Sequence, residues 1–171
     1  MVSTTSNIIL IGMPGSGKST VGVILAKQLA MGFVDTDLLI QARQGRALQD
    51  IVDQDGYLVL RRIEEDELLS LNLVNHVIAT GGSAVYSERA LDHLRRDGTV
   101  VFLDADLNTI RRRVPDFGSR GLAKPPNQTM EQLFEERKLL YQKYADFFIA
   151  CSDLTHEGVA ETVKDRLGSR G

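Results

Sequence analysis

The chain has 171 residues, a length typical of one domain with its own hydrophobic core. Hydrophobic residues make up 43% and charged residues 25%, as in soluble globular proteins, and the net charge of −3 argues against a surface for nucleic acid. No apolar run approaches the ~20 residues that a membrane span needs. Cys151 has no second cysteine with which to form an internal disulfide, and residues 1–6 lack the pattern of a secretory signal. We therefore expect a cytoplasmic protein that binds neither nucleic acid nor membrane, and we expect a monomer.

Short apolar runs alternate with helical patterns along the chain. The runs show little polar alternation, which is typical of strands buried on both faces of a parallel sheet. Strands are predicted at residues 8–11, 32–34, 76–79, 99–103 and 146–149. Helices are predicted at residues 18–30, 37–44, 48–73 with a division at Gly56, 87–97, 107–113 and 129–144. This alternation predicts a three-layer α/β domain with a five-stranded parallel sheet over residues 1–171.

A segment rich in proline and glycine, residues 115–127, fits neither a helix nor a strand. Loops of this length are uncommon inside compact domains, and many of them are lids over active sites. We predict a lid at about residues 113–127 with Arg120 in its middle. A disordered insertion is the alternative.

The pattern G-x-x-x-x-G-K-[ST] begins at Gly12, directly after the first predicted strand, and it leads into the first predicted helix. In such a phosphate loop the backbone N–H groups cradle phosphates, Lys18 reaches the β- and γ-phosphates, and the Ser19 hydroxyl ligates Mg²⁺. The pattern therefore predicts binding of ATP with Mg²⁺; an accidental glycine-rich turn is the alternative. The predicted ATP-binding residues here are Gly12, Met13, Pro14, Gly15, Ser16, Gly17, Lys18, Ser19 and Thr20.

A phosphate loop indicates nucleotide binding without defining the reaction, because GTPases, motor ATPases and small-molecule kinases share it. The chain is too short for a large coupling domain, and it lacks an N-K-x-D guanine pattern. A small kinase with a nucleoside-kinase-like fold is therefore favoured.

Two carboxylates, Asp35 and Asp37, follow the second predicted strand. Ligands of open α/β sheets bind beyond the carboxyl ends of the strands, so both would face the phosphate loop. Asp35 could hold Mg²⁺ directly or through water, and Asp37 could accept a proton from a substrate hydroxyl. The alternative for Asp37 is a helix N-cap.

Two arginines fall on the apolar stripes of predicted helices. Arg137 lies inward, so its partner would be an anionic ligand or a structural carboxylate. Arg61 precedes Glu64 by three residues, and an ion pair between them would fix the guanidinium; a snorkelling Arg61 is the alternative. After the third strand, Gly81 and Gly82 permit close approach of the backbone to a ligand, or else they form an ordinary tight turn.

Taken together, these motifs resemble the shikimate kinase family of phosphate-loop kinases from about residue 7 to residue 149. Beyond the phosphate loop, the resemblance rests on the Asp-Thr-Asp at 35–37, on the spacing of Gly56, Arg61 and Glu64 (G-E-x-x-F-R-x-x-E in the family), and on the turn at 81–83. It also rests on Arg120 in the lid and on Arg137 in the segment that the family writes R-x-P-L-Y.

The resemblance implies a role for each matching residue. Asp35 and Ser19 would hold Mg²⁺, Lys18, Asp37 and Arg120 would act in catalysis, and Arg113 and Arg120 would contact ATP. The shikimate-binding residues implied are Asp37, Arg61, Gly81, Gly82, Ser83 and Arg137, with the arginines on the carboxylate.

The chain also departs from the family pattern, chiefly on the acceptor side. Phosphoryl transfer is expected to survive the changes, but Ser83 and Leu60 lie beside the expected acceptor pocket, so a related hydroxylated acid or sugar acid is an alternative acceptor. A nucleotide-binding regulatory module without turnover is the third reading. The departures are Tyr57 for Glu, Leu60 for Phe, Ser83 for the third Gly, G-L-A for P-L-L after Arg120, and K-L for x-P after Arg137.

Overall fold

The computed structural model describes residues 6–169, with Ser119 described by its backbone alone. Apart from Ser6, the segment considered above for a secretory signal lies outside these residues. The strands are β1 (Asn7–Ile11), β2 (Gly32–Asp35), β3 (His76–Ala79), β4 (Gly98–Asp104) and β5 (Phe147–Ala150). Within the described range they form one parallel sheet in the order β2-β3-β1-β4-β5.

The centre of the sheet is covered on both faces. All five residues of β1 are buried, and successive side chains of a strand point to opposite faces, so layers of helices lie above and below it. The edge strand β5 alternates instead, with Phe147 and Ile149 buried and Phe148 exposed. The predicted α/β fold with a parallel sheet is confirmed.

Eight α-helices lie in the described part of the chain. None of them is long and apolar enough to cross a membrane. They are α1 (Lys18–Leu29), α2 (Thr36–Gln44), α3 (Leu48–Asp55), α4 (Tyr57–Ser70), α5 (Glu88–Arg95), α6 (Leu107–Arg113), α7 (Met130–Tyr144) and α8 (His156–Gly168).

Most predicted helices are confirmed, with three corrections. The predicted helix over 48–73 is divided at Gly56, as expected, but α4 ends at Ser70. The second helix begins at Thr36, because Asp35 caps it by accepting from the backbone N–H groups of Asp37 and Leu38. The sequence interpretation had no helix at α8, which packs against α1.

The segment between α6 and α7 contains one short 3₁₀ turn, Phe117–Ser119. Downstream of it, Leu122 and Ala123 are buried, and Ala123 joins a small apolar cluster with Ile40, Ile51 and Leu60. The segment therefore packs on the block formed by α2, α3 and α4, next to the carboxyl ends of the strands. Whether it closes as a lid stays a prediction.

Candidate active site

The phosphate loop joins β1 to the N-terminus of α1, and its backbone geometry suits an anion. Gly15 has φ of 84°, and a Cβ at this position would collide with the side chain of Val114, so only glycine fits. No side chain of the described residues caps α1 at Gly17. The free N–H groups and the positive end of the helix dipole are therefore available to phosphates.

Lys18 is the buried cation of this loop. Its Nζ donates to the carbonyl oxygens of Gly12, at 2.7 Å, and Met13, at 2.8 Å. Burial lowers the pKa of Lys18 to about 8, and the negative charge of Asp37 opposes that shift. A phosphate bound in the loop would therefore compete with these two carbonyl groups for the Lys18 ammonium.

Two oxygen ligands suited to Mg²⁺ meet at the loop. The Ser19 hydroxyl donates to Asp35 Oδ2 at 2.5 Å, so the two predicted metal ligands are adjacent. Nowhere in residues 6–169 are three or more His, Cys, Asp or Glu side chains grouped to hold a metal. Mg²⁺ commonly uses one or two protein ligands together with phosphates and waters, so this pair fits it.

Asp37 and Glu64 form a close pair of carboxylates opposite the loop. A Cβ on Gly81 would collide with both Glu64 Oε1 and Asp37 Oδ1, so the glycine gives the carboxylates room to face each other. Burial raises the pKa of Asp37, which Lys18 and Arg137 oppose. Burial and the nearby Asp37 both raise the pKa of Glu64. The pair is therefore arranged to hold a proton.

Ser83 contacts this pair directly. Its hydroxyl donates to Glu64 Oε2, while Oε1 of the same carboxylate is buried without a hydrogen-bond partner among the described residues. The predicted Arg61–Glu64 ion pair is wrong. Glu64 accepts from the Ser83 hydroxyl instead, and Arg61 donates to a different group. Asp37 is likewise no N-cap, since Asp35 fills that role and leaves the Asp37 side chain facing the cavity.

Arg61 and Arg137 converge on one backbone carbonyl. Arg61 Nε donates to the carbonyl oxygen of Ala123 at 3.0 Å, and Arg137 Nη2 donates to the same oxygen at 3.3 Å. No carboxylate within residues 6–169 forms an ion pair with either guanidinium. In the same range, Arg61 Nη2 and Arg137 Nε are buried without a hydrogen-bond partner. These unused donors suit an anionic ligand such as a carboxylate.

One cavity of about 250 Å³ joins the phosphate loop to the carboxylates and to Arg137. We call it the central cavity. The predicted site residues that line it are Pro14, Gly15, Gly17, Lys18, Ser19, Thr20, Asp37, Gly82, Ser83, Arg120 and Arg137.

The other predicted residues lie around this cavity. Gly12, Met13 and Ser16 belong to the phosphate loop, and all three are buried. Asp35 contacts the cavity-lining Ser19, and Gly81 lies between the two carboxylates. These residues adjoin the residues that line the cavity and do not line it themselves.

Two arginines stand apart from the central cavity. Arg113 braces the phosphate loop by donating to the carbonyl oxygen of Gly15 at 3.2 Å. Arg61 lines a neighbouring cavity of about 380 Å³, together with Tyr86, and shares the wall formed by Glu64 and Ser83. Its link to the central cavity runs through the carbonyl group of Ala123.

The sequence reasoning missed several residues of the site. Glu64 was expected to support Arg61, yet it lines the central cavity itself, as do Leu48 and Thr80. Leu60, which was expected beside the acceptor pocket, lines the cavity as well. Tyr86 was missed entirely, although an aromatic residue shortly after a glycine-rich turn at a strand end was a usable signal. Its ring lies over Arg61, with 3.7 Å between the guanidinium carbon and the ring centre.

Comparison with known proteins identifies the family. The family model for shikimate kinase matches residues 14–168. A shikimate kinase from Sulfurihydrogenibium sp. (strain YO3AOP1) is 37% identical over 165 residues, which is 96% of this chain and 99% of that protein.

Solved structures agree with this assignment. Shikimate kinase from Acinetobacter baumannii in complex with shikimate superposes with a TM-score of 0.88 at 28% identity, covering 98% of this chain and 95% of that one. Shikimate kinase from Aquifex aeolicus gives a TM-score of 0.81 at 34% identity, covering 96% and 97%. These matches agree with the phosphate loop, the facing carboxylates and the two arginines described above. The chain belongs to the shikimate kinase family.

Proposed function

We propose that this chain transfers the γ-phosphoryl group of ATP to a hydroxyl group of shikimate, forming shikimate 3-phosphate and ADP. One observation carries the proposal. Lys18 and Ser19 of the phosphate loop line the same cavity as Asp37, Glu64 and Arg137, so groups for a phosphate donor and groups for a carboxylated alcohol face one space. Membership of the family supports the same reaction.

The phosphate side would work mainly by position and charge. Backbone N–H groups of the loop and the α1 N-terminus hold the phosphates. Lys18 offsets negative charge on the transferring group, and Arg120, at the mouth of the cavity, would add a second positive charge. When bound to Ser19 and Asp35, Mg²⁺ would neutralise charge on the β- and γ-phosphates.

The acceptor side would orient the alcohol. Asp37 accepts the proton of the attacking hydroxyl as the oxygen–phosphorus bond forms and the bond to the ADP oxygen breaks. Arg61 and Arg137 bind the acceptor carboxylate after the carbonyl group of Ala123 leaves them. The segment that carries Arg120 and Ala123 would act as the lid, excluding water that competes as an acceptor.

A coupled ADP-release assay with Mg²⁺ tests the proposal. Shikimate is compared with other hydroxylated acids and sugar acids at equal concentration, and omission of Mg²⁺ should abolish turnover. ADP release that depends on shikimate, together with phosphate at its 3-hydroxyl, is the expected result. Tight ATP binding with no ADP release from any acceptor would identify a regulatory module instead.

One observation favours a second acceptor. Where the family pattern has glycine, Ser83 places a hydroxyl against Glu64 at the wall of the cavity. This group changes the polar surface offered to the ring hydroxyls of an acceptor. A higher kcat/KM for a different hydroxylated acid than for shikimate would select this reading and leave the donor chemistry intact.

A further inference from the structure

Arg61 has no carboxylate partner among the residues that the structure describes. Its guanidinium is half-buried, and its hydrogen bonding within residues 6–169 consists of the contact from Nε to the carbonyl oxygen of Ala123. Nη2 is buried without a partner in that range. A buried guanidinium normally needs a compensating group, so something else must stabilise its position.

The groups closest to the charge are aromatic rings, and the carboxylate of Glu136 attracts the same guanidinium more weakly. The Arg61 guanidinium carbon lies 3.7 Å from the ring centre of Tyr86 and 5.1 Å from that of Tyr57. The guanidinium of Arg137 lies 5.5 Å from the same Tyr86 ring. Cations within about 6 Å of an aromatic face are attracted by its quadrupole. Tyr86 therefore contacts both arginines, and it contacts Arg61 most closely.

The tyrosine is itself anchored. Its hydroxyl donates to the carboxylate of Glu136, the residue before Arg137 on α7, and Glu136 also accepts from Gln128 at 3.0 Å. A hydroxyl that donates to a carboxylate is polarised towards its oxygen, which makes the ring richer in electrons and a better partner for a cation. The turn after β3, α4 and α7 thus meet at one side chain.

The side from which a neighbouring group contacts Arg61 determines which of its N–H donors remain available to a ligand. A guanidinium carries its N–H donors in its plane, and a carboxylate binds there through two parallel hydrogen bonds. A neighbouring protein carboxylate would occupy that edge. A ring 3.7 Å from the guanidinium carbon lies against the face of the group, so it competes for none of the N–H donors. Nη2 is left without a partner among residues 6–169, Nε is held only by the carbonyl group of Ala123, and the positive charge is not neutralised.

We propose that Tyr86 is a positioning residue for acceptor recognition: its ring holds Arg61 by the guanidinium face and so reserves the N–H edge for the carboxylate of the acceptor. The inference rests on the proposed function, since it assumes a carboxylated acceptor. Tyr57 adds a weaker contact from a greater distance. In the family pattern, position 57 carries Glu, whereas here it carries the second aromatic ring.

Steady-state kinetics of Tyr86 variants test the inference. Tyr86→Leu removes the ring, and the KM of shikimate should rise about 3- to 30-fold while the KM of ATP stays within about twofold. Tyr86→Phe restores the ring without the hydroxyl and should recover most of the lost affinity. Tyr57 lies farther from the same guanidinium, so Tyr57→Leu should raise the shikimate KM less than Tyr86→Leu does.

A fluorinated ring separates positioning from simple packing. Fluorophenylalanines at position 86 keep the ring shape but withdraw electron density from its face, so the shikimate KM should rise with each added fluorine. A merely structural ring would give a flat series. This series also carries the test if Tyr86→Leu does not fold, as judged by thermal unfolding.

The outcomes distinguish the two proposals. Wild-type turnover of shikimate with a flat fluorine series, or an unchanged KM in folded Tyr86→Leu, overturns the role of Tyr86 alone. Absence of wild-type turnover with any carboxylated acceptor overturns the proposed function and this inference with it. If another carboxylated acceptor is preferred, the same fluorine series is run with that acceptor. A KM that rises with each fluorine then supports the role of Tyr86, and a flat KM overturns it.

Discussion

The two sides of the central cavity are built in different ways. The phosphate side comes from one continuous stretch, residues 12–20, and uses backbone groups, three glycines with positive φ and a helix N-terminus. The acceptor side uses side chains from separate elements: Asp37 from α2, Glu64 from α4, Ser83 from the turn after β3, and Arg137 from α7.

This difference accounts for the departures of the chain from its family that lie on the acceptor side. Backbone cradles need fixed glycines and one lysine, so little can change on the phosphate side without loss of binding. Side-chain surfaces can be altered one contact at a time, and Tyr57, Leu60 and Ser83 all lie on the acceptor side. Variants should therefore separate the two sides: phosphate-side changes lower turnover with every acceptor, whereas acceptor-side changes leave the KM of ATP nearly unchanged.

The largest effect is expected from Lys18→Ala. Removal of the buried ammonium leaves the charge of the transferring phosphoryl group without the cation of the phosphate loop, and kcat should fall about 10³-fold with every acceptor. The loss is measured as ADP release. Because burial already disfavours the charge of Lys18, the thermal unfolding midpoint should change little. A kcat within about tenfold of wild type would mean that the phosphate side does not carry the reaction.

Asp37→Asn should lower kcat by about 10²- to 10³-fold, because the acceptor proton then has no base. Burial raises the pKa of Asp37 to about 6, and only the ionised form accepts a proton. The wild-type kcat/KM for shikimate should therefore rise with pH up to about 6 and level off above it. The variant should lose this rising limb. A rate that is independent of pH across the same range in the wild type would contradict the assignment.

Arg137→Ala should act on the acceptor and spare ATP. Arg137 is 1% exposed and lines the central cavity, so its loss should raise the shikimate KM about 100-fold while the KM of ATP changes little. Arg137→Lys keeps the charge without the paired N–H donors and should recover only part of the affinity. The neighbouring Lys138→Ala, which removes a half-exposed partner of Asp104, is the matched control. Unchanged acceptor kinetics in folded Arg137→Ala would remove the carboxylate clamp from the mechanism.

The contrast between one continuous motif and side chains from separate elements also determines how much of the site the sequence could predict. The phosphate loop and its strand–helix context were predictable because the motif is local. The positions of Asp37 and Arg137 at the cavity were predictable because a carboxylate at a strand end and a charge on an apolar stripe are each unusual. The carbonyl group of Ala123 between Arg61 and Arg137 was not predictable, since backbone carbonyls leave no mark in the sequence.

In the fold, the missed helix α8 had a local signal. Thr155 caps it, and Val159, Val163 and Leu167 recur at a spacing of four residues and are buried. The shift in the start of α2 had no such signal, because Asp35 and Asp37 are equally good caps in sequence. Tertiary placement decided it: Asp35 accepts the Ser19 hydroxyl as well as the backbone of α2.

The smallest effect is expected from Ser83→Gly, which restores the family residue on the acceptor side. The variant should change kcat/KM for shikimate by only a few-fold, because Ser83 acts through Glu64 and leaves the arginines in place. Its clearest effect should be on stability. Burial and Asp37 raise the pKa of Glu64 to about 7, whereas the Ser83 hydroxyl opposes that rise.

The sign of this stability effect follows from linkage. A carboxyl group whose pKa is raised by folding stabilises the protein below its unfolded pKa, and that contribution is lost as pH rises through about 7. Without the Ser83 hydroxyl the folded pKa is higher still, because the ionised Glu64 loses a charge-assisted hydrogen bond. The unfolding midpoint of Ser83→Gly should therefore fall further below wild type at about pH 8 than at about pH 5. In a Glu64→Gln background this pH dependence of the Ser83→Gly effect should vanish, since position 64 then carries no charge to titrate. A difference between Ser83→Gly and wild type that is the same at both pH values would show that glycine flexibility, and not the hydrogen bond to Glu64, sets the effect.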